Sequence, residues 1–294
     1  MPAPEAATAL RWQDMIFRHW PVVVGALAML LPTLLSLARG PWSLESGVHG
    51  PIVIATGSWL IYRRADEVRA VMAPGDAWIT AVAMAIGVPA YVFGRAFDFI
   101  SIEVAALLLV LLAVAHAYVG MRALRLLWFP ILYLGFVIPV PGWVLDAVTL
   151  PLKLLVSEVV SDVLAWRGYP IARDGVTIYV ASYQLLVEDA CAGLNSLISL
   201  AAISLFYVYM MRGSNPRYSV VLLLLVVPVA IAANMVRVAL LVLITYYFGS
   251  AAAQGYLHNF AGVVTFTSAL LLLFLADALL TPLRLALAPG PKAP

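Results

Sequence analysis

The chain has 294 residues, 64% of them hydrophobic and 11% charged, with a mean hydropathy of +1.00. Soluble domains carry about 45–50% apolar and about 25% charged residues, so the composition excludes an ordinary soluble fold and indicates a bilayer protein. A net charge of +2 without a lysine/arginine block excludes a nucleic-acid partner. The single cysteine excludes an internal disulfide framework and a cysteine-based metal cluster, and no cofactor is expected.

Arg11 and Arg18 precede an apolar run over 21–37. The run is long and no small-residue cleavage site follows it, so a retained first transmembrane helix is expected rather than a signal peptide. A spanning helix needs about 20 mostly apolar residues. On that measure an all-α polytopic membrane protein is expected, one domain over 1–294, with about eight spans. They lie near 20–37, 47–62, 77–93, 100–120, 124–140, 191–211, 218–247 and 259–282. The second is short and contains Gly50, Pro51 and Gly57; the fifth contains Pro130 and Pro139, which membrane helices tolerate where neighbours satisfy the freed carbonyls.

Loop lysines and arginines set the orientation. With the N-terminus cytoplasmic, the inner side holds Arg11, Arg18, Arg63, Arg64, Arg69, Arg122, Arg125, Arg212, Arg217, Arg284 and Lys292; the outer side holds only Arg39, Arg95, Lys153, Arg167 and Arg173. Both termini are therefore expected in the cytoplasm.

The long outer loop, about 141–190, has two parts. Its first, 143–166, is amphipathic, with Leu145, Val148, Leu152, Leu155, Val156 and Val159 on one helical face and Asp146, Lys153, Glu158 and Asp162 elsewhere. A helix lying on the outer leaflet is expected there. Gly168 and Pro170 end it. The runs 176–180 and 184–187 are β-prone, Arg173-Asp174-Gly175 reads as a turn, and a small β-element outside the membrane is expected.

Polar groups in or at the ends of spans are costly and mark the places where function is expected. Cys191 opens the sixth span. A helix N-terminus favours its thiolate; Glu188 and Asp189 oppose it unless turned aside, Asp189 as an N-cap. A small buried hydrophobe is the plainer alternative for this thiol. Arg237 lies nineteen residues after Tyr218, about 28 Å along a helix, which places it near the outer interface. Asn234 shares its face. A snorkelling anchor is the alternative, but the apolar run continues for two more turns beyond Arg237. His258 opens the eighth span, also on the outer side. His19, His49 and His116 read as ordinary interfacial or core histidines. One topology thus brings a thiol, a guanidinium and an imidazole to the same outer surface. Together they can supply a nucleophile, oxyanion or carboxylate binding, and a proton for a leaving amine.

These residues resemble the exosortase/archaeosortase family of membrane transpeptidases. The resemblance rests on Glu188-Asp189-Ala190-Cys191-Ala192-Gly193-Leu194-Asn195-Ser196, on Asn234-Met235-Val236-Arg237 and on Leu257-His258-Asn259, and extends from about Trp42 to Leu280. The wording around Cys191 is most similar to the exosortase B subgroup. The resemblance implies Cys191 as nucleophile, Arg237 as the transition-state or substrate-positioning residue and His258 as acid/base. Glu188, Asp189, Asn195 and Asn234 would support them. Asn195 departs from the pattern, standing where many relatives carry a basic residue. The implied substrates are membrane-anchored secreted proteins with a C-terminal Pro-Glu-Pro sorting signal, cut at the outer face of a bacterial inner membrane. The rival function is a transporter or scaffold of exopolysaccharide export, which requires polar residues through the depth of the membrane; few are found. A thiol redox carrier would need a resolving cysteine.

Overall fold

The computed structural model of the chain describes residues 20–43, 47, 49–186, 192–212, 216–249, 267, 270–272 and 274–282. The chain divides into two compact units, Met1–Ser43 with Ile54–Pro139, and Leu44–Val53 with Val140–Pro294.

The first unit is helical: α1 (Trp20–Arg39), the body of α2 (Gly50–Arg63), α3 (Ala65–Val71), α4 (Ala77–Ala96), α5 (Ile100–Leu126) and α6 (Trp128–Leu134). Helix α4 starts where Asp76 accepts from the backbone N–H groups of Trp78 and Ile79 at 2.8 and 3.0 Å, a side-chain N-cap that satisfies two otherwise unpaired donors. Helices α4 and α5 form the principal hairpin. Near its tight end Glu103 is buried. It accepts from Thr33 of α1 at 2.7 Å and from Arg95 of α4 at 3.2 Å, so a charge that would be costly in an apolar bundle has both a cation and a hydroxyl. At the other end α5 breaks at Gly120, whose φ is 76° and ψ 171°. The break releases the carbonyls of Ala117 and Val119, which accept from the N–H groups of Gly75 and Ala73 at 3.2 Å each. His116, expected to be ordinary, is held at this end by Thr80, whose Oγ1 is 3.0 Å from Nδ1.

The second unit contains α7 (Gly142–Trp166), strands β1 (Ile171–Asp174), β2 (Thr177–Val180) and β3 (Tyr183–Leu186), α8 (Ala192–Arg212), α9 (Pro216–Phe248) and the apolar helix α10 (Leu270–Leu279). The expected β-element is a three-stranded antiparallel sheet in the order β1-β2-β3. The predicted turn at Arg173-Asp174-Gly175 is corrected. Arg173 and Asp174 pair with Ile178 and Thr177, and the two-residue loop is Gly175-Val176. Gly175, at φ 57°, takes the left-handed conformation that a tight hairpin asks of its first loop residue.

Four helices among the described residues are long and apolar enough to cross a membrane, or five if Trp128–Val137 and Gly142–Trp166 count as one broken span. Eight spans were expected. The difference arises at particular places. Helix α2 has 14 residues, about 21 Å, short of the ~30 Å hydrocarbon core. The fifth expected span is interrupted after Leu126 and again by a 3-10 turn at Gly135–Val137. The sixth forms the helix Ala192–Arg212, of which Ala201–Met210 counts as a shorter apolar helix, and the eighth runs partly through residues outside those described.

At one end of the second unit Asp277 of α10 accepts from Tyr207 of α8 at 2.8 Å and from Tyr218 of α9 at 2.7 Å. This carboxylate staples together the three helices that follow or carry the three sequence motifs. Tyr218→Phe is expected to cost about 1.5–3 kcal/mol, the range for a hydrogen bond to a charged group. A lowered thermal midpoint in detergent would show it; an unchanged midpoint would mean that the staple contributes nothing.

Candidate functional site

All the candidate site residues fall in the second unit by position, and α9 supplies the part that is described. Arg237 and Asn234 stand three residues apart on one helical face and are 2% and 1% exposed. Val236, on the opposite side, is open. Neither Arg237 nor Asn234 is without a partner. A buried guanidinium requires such partners, because an uncompensated charge in an apolar interior is strongly disfavoured.

The apolar run beyond Arg237, puzzling for a helix anchor, has a local explanation. Val238, Leu241 and Val242 are buried with Val156, Val160 and Leu164 of α7 and with Ile178 and Val180 of β2. This stretch of α9 is therefore covered by protein. Strand β1 is exposed from Ala172 to Asp174, and an open sheet edge is not tolerated in hydrocarbon. Arg237 directly precedes Val238, the first fully buried residue that α9 contributes to this cluster.

Helix α7 forms where expected, but its covered face is not the predicted one. Thr149, Lys153, Val156, Ser157, Val160, Ser161 and Leu164 are buried, whereas Val148 and Leu155 are exposed. In a lipid setting apolar side chains can face outward while polar groups turn to the protein interior; amphipathicity judged against water therefore selects the wrong side. Helix α7 also packs lengthwise on α9. The two end together, since Tyr169 just past α7 places its hydroxyl 3.1 Å from that of Tyr247, so they run in the same direction. Ser157 secures the hairpin from below, donating to Gly175 O at 2.9 Å, with Leu154 O at 3.0 Å as alternative acceptor.

Of the residues singled out in the sequence, the structure places Arg237 and Asn234 together. Cys191, His258, Glu188 and Asp189 lie outside the described residues, as does the side chain of Asn195. The elements on either side of Cys191 are described. Strand β3 ends at Leu186 and α8 begins at Ala192, and both pack against α9. Two features escaped the sequence. His49 is buried, with Nδ1 2.9 Å from Ser199 Oγ of α8. Lys153 is 7% exposed, with Nζ 3.6 Å from Asp146 Oδ1. The second was detectable as a run of polar residues at 149, 153, 157 and 161, four apart and hence on one helical face. Among the described residues no group of three or more histidine, cysteine or carboxylate side chains could hold a metal.

The family model of the transmembrane exosortases matches residues 42–275. No curated protein and no solved structure matches the chain.

Proposed function

The chain belongs to the transmembrane exosortase family, and from that premise we propose that it is a cysteine transpeptidase acting on C-terminal Pro-Glu-Pro-type sorting signals of secreted proteins. Its site faces the periplasm from a bacterial inner membrane, with both chain termini cytoplasmic. The observation that carries this function is the buried Arg237, on one face of α9 with the buried Asn234 and directly before the residues that pack against α7 and the sheet.

In this mechanism the Cys191 thiolate attacks the scissile carbonyl carbon. Arg237 binds the oxygen as it becomes an oxyanion, in surroundings shielded from water where such an interaction is strongest. The C–N bond breaks, His258 gives its proton to the leaving amine, and the acyl group remains on sulfur as a thioester. An acceptor nucleophile then attacks the thioester, His258 takes the acceptor's proton, and the thiolate returns. An acceptor amine gives transpeptidation and water gives hydrolysis. Glu188 and Asp189 disfavour the resting thiolate unless Asp189 caps α8 and Glu188 is turned towards a cation; in those positions they would support the site.

The test is a tagged sorting-signal protein co-expressed with Cys191→Ala. Processing is expected to fall to the level of cells lacking the enzyme, with the variant still present in the membrane fraction. Processing at the wild-type rate would eliminate the cysteine mechanism.

A further inference from the structure

We propose that the outer edge of β3 is the receptor for the sorting signal: the Pro-Glu-Pro segment adds to the sheet as a fourth strand, with the backbone of its glutamate bonded to the backbone of Gln184. The inference rests on the transpeptidase function proposed above and deepens it, from the class of substrate to the way its chain is held.

The register of the sheet shows which backbone groups are available. The N–H of Ala181 donates to Pro170 O at 3.1 Å. Bonded positions alternate along an antiparallel pair, so Tyr179 and Thr177 bond to β1 at Ala172 and Asp174. Ile178 and Val180 then turn their backbone groups to β3, opposite Leu185 and Tyr183. The N–H and C=O groups of Gln184 and Leu186 consequently point away from β2, on the side where the sheet order ends. Among the described residues no strand pairs with them there. Tyr183 and Leu185 pack against the cluster of α7, β2 and α9, and Gln184 is exposed. The core thus holds β3 by one face and leaves its edge for a partner.

The two edges of the sheet differ. Strand β1 carries Arg173 and Asp174 and follows Pro170, the charges and proline that guard an edge against pairing with another chain. Strand β3, Tyr183-Gln184-Leu185-Leu186, has neither. Such an edge is a template for an extended peptide held by main-chain bonds. Its place in the chain favours the substrate as occupant. Leu186 precedes Cys191 by five residues, which span at most about 18 Å, so a peptide on this edge lies within a few of its own residues of the thiol.

The signal fits an edge of this kind. Successive residues of a strand turn their backbone groups to opposite sides, so the prolines flanking the glutamate face the same way. With the glutamate turned to Gln184, both prolines lie on the outer side. Their missing N–H groups leave nothing unpaired there and offer no donors to a further strand. Each proline also restricts the residue before it to extended backbone, so the segment arrives partly ordered.

The experiment measures binding of a synthetic substrate, the signal with its membrane helix, to the full-length Cys191→Ala protein in detergent, so that affinity is read without cutting. Replacing the glutamate N–H by an ester oxygen is expected to weaken binding at least about tenfold, the factor for roughly 1.4 kcal/mol. Gln184→Pro removes the facing N–H at an edge position that proline can occupy and should weaken the unmodified substrate by a similar factor. Gln184→Thr keeps the backbone and should bind normally. Arg173→Pro makes the same change on the outward side of β1 and should leave binding unchanged. Equal affinity for the ester and amide substrates would overturn the proposal, with no further variant needing to fold. So would normal binding by Gln184→Pro; a change in its oligomeric size would then assign the edge to a second copy of the chain. Either result leaves the dependence of processing on Cys191 standing. Processing that persists with Cys191→Ala would instead remove the transpeptidase function and the receptor with it.

Discussion

Arg237→Met is expected to lower sorting-signal processing about 10²–10³-fold, the usual consequence of removing one preorganised donor to an oxyanion. The side chain is almost wholly buried and lies at the start of the cluster formed by α7, the sheet and α9. Methionine keeps the length and apolar character of the stem, so the packing of Val238 and Leu241 should be retained. Arg237→Lys separates charge from geometry. It keeps the positive charge but replaces a planar fork with a single ammonium, and an intermediate loss is expected, nearer to methionine than to wild type. The measurement is the ratio of processed to unprocessed substrate, normalised to enzyme in the membrane fraction. Wild-type rates in both variants would show that Arg237 only anchors α9.

Gly120→Ala is expected to have the largest effect on stability. The residue combines φ 76° with ψ 171°, a region essentially restricted to glycine. A Cβ there would stand 2.5 Å from the carbonyl oxygen of Ala73. Backbone strain and overpacking each cost about 1–3 kcal/mol, so a combined loss of about 2–6 kcal/mol is expected. Gly75→Ala should behave similarly, because its Cβ would overlap the backbone carbonyl of His116. Gly25→Ala is the control. Nothing lies within 4 Å of its Cβ position in α1, and alanine is the better helix former. Thermal midpoints in detergent should therefore fall sharply for the first two variants and stay level or rise for the third. A Gly120→Ala protein melting with the wild type would contradict the break in α5.

The sequence by itself determined the membrane class, the positions of four of the eight expected spans, the helical segment after Gly142 and the β-element before Cys191. Each depends on composition or on a period of two or about 3.6 residues, which a linear chain displays. Arg237 and Asn234 were legible in the same way, as costly polar groups within an apolar run. Tertiary structure decided what neighbours decide. Arg237 is followed by apolar residues because α7 and β2 cover Val238, Leu241 and Val242, which no periodicity of α9 records. Helix α7 buries Thr149, Lys153 and Ser161 and exposes Val148 and Leu155. Its polar stripe was visible in the sequence, but its direction was not. Its packing partners, α9 and the sheet, determine which face turns inward.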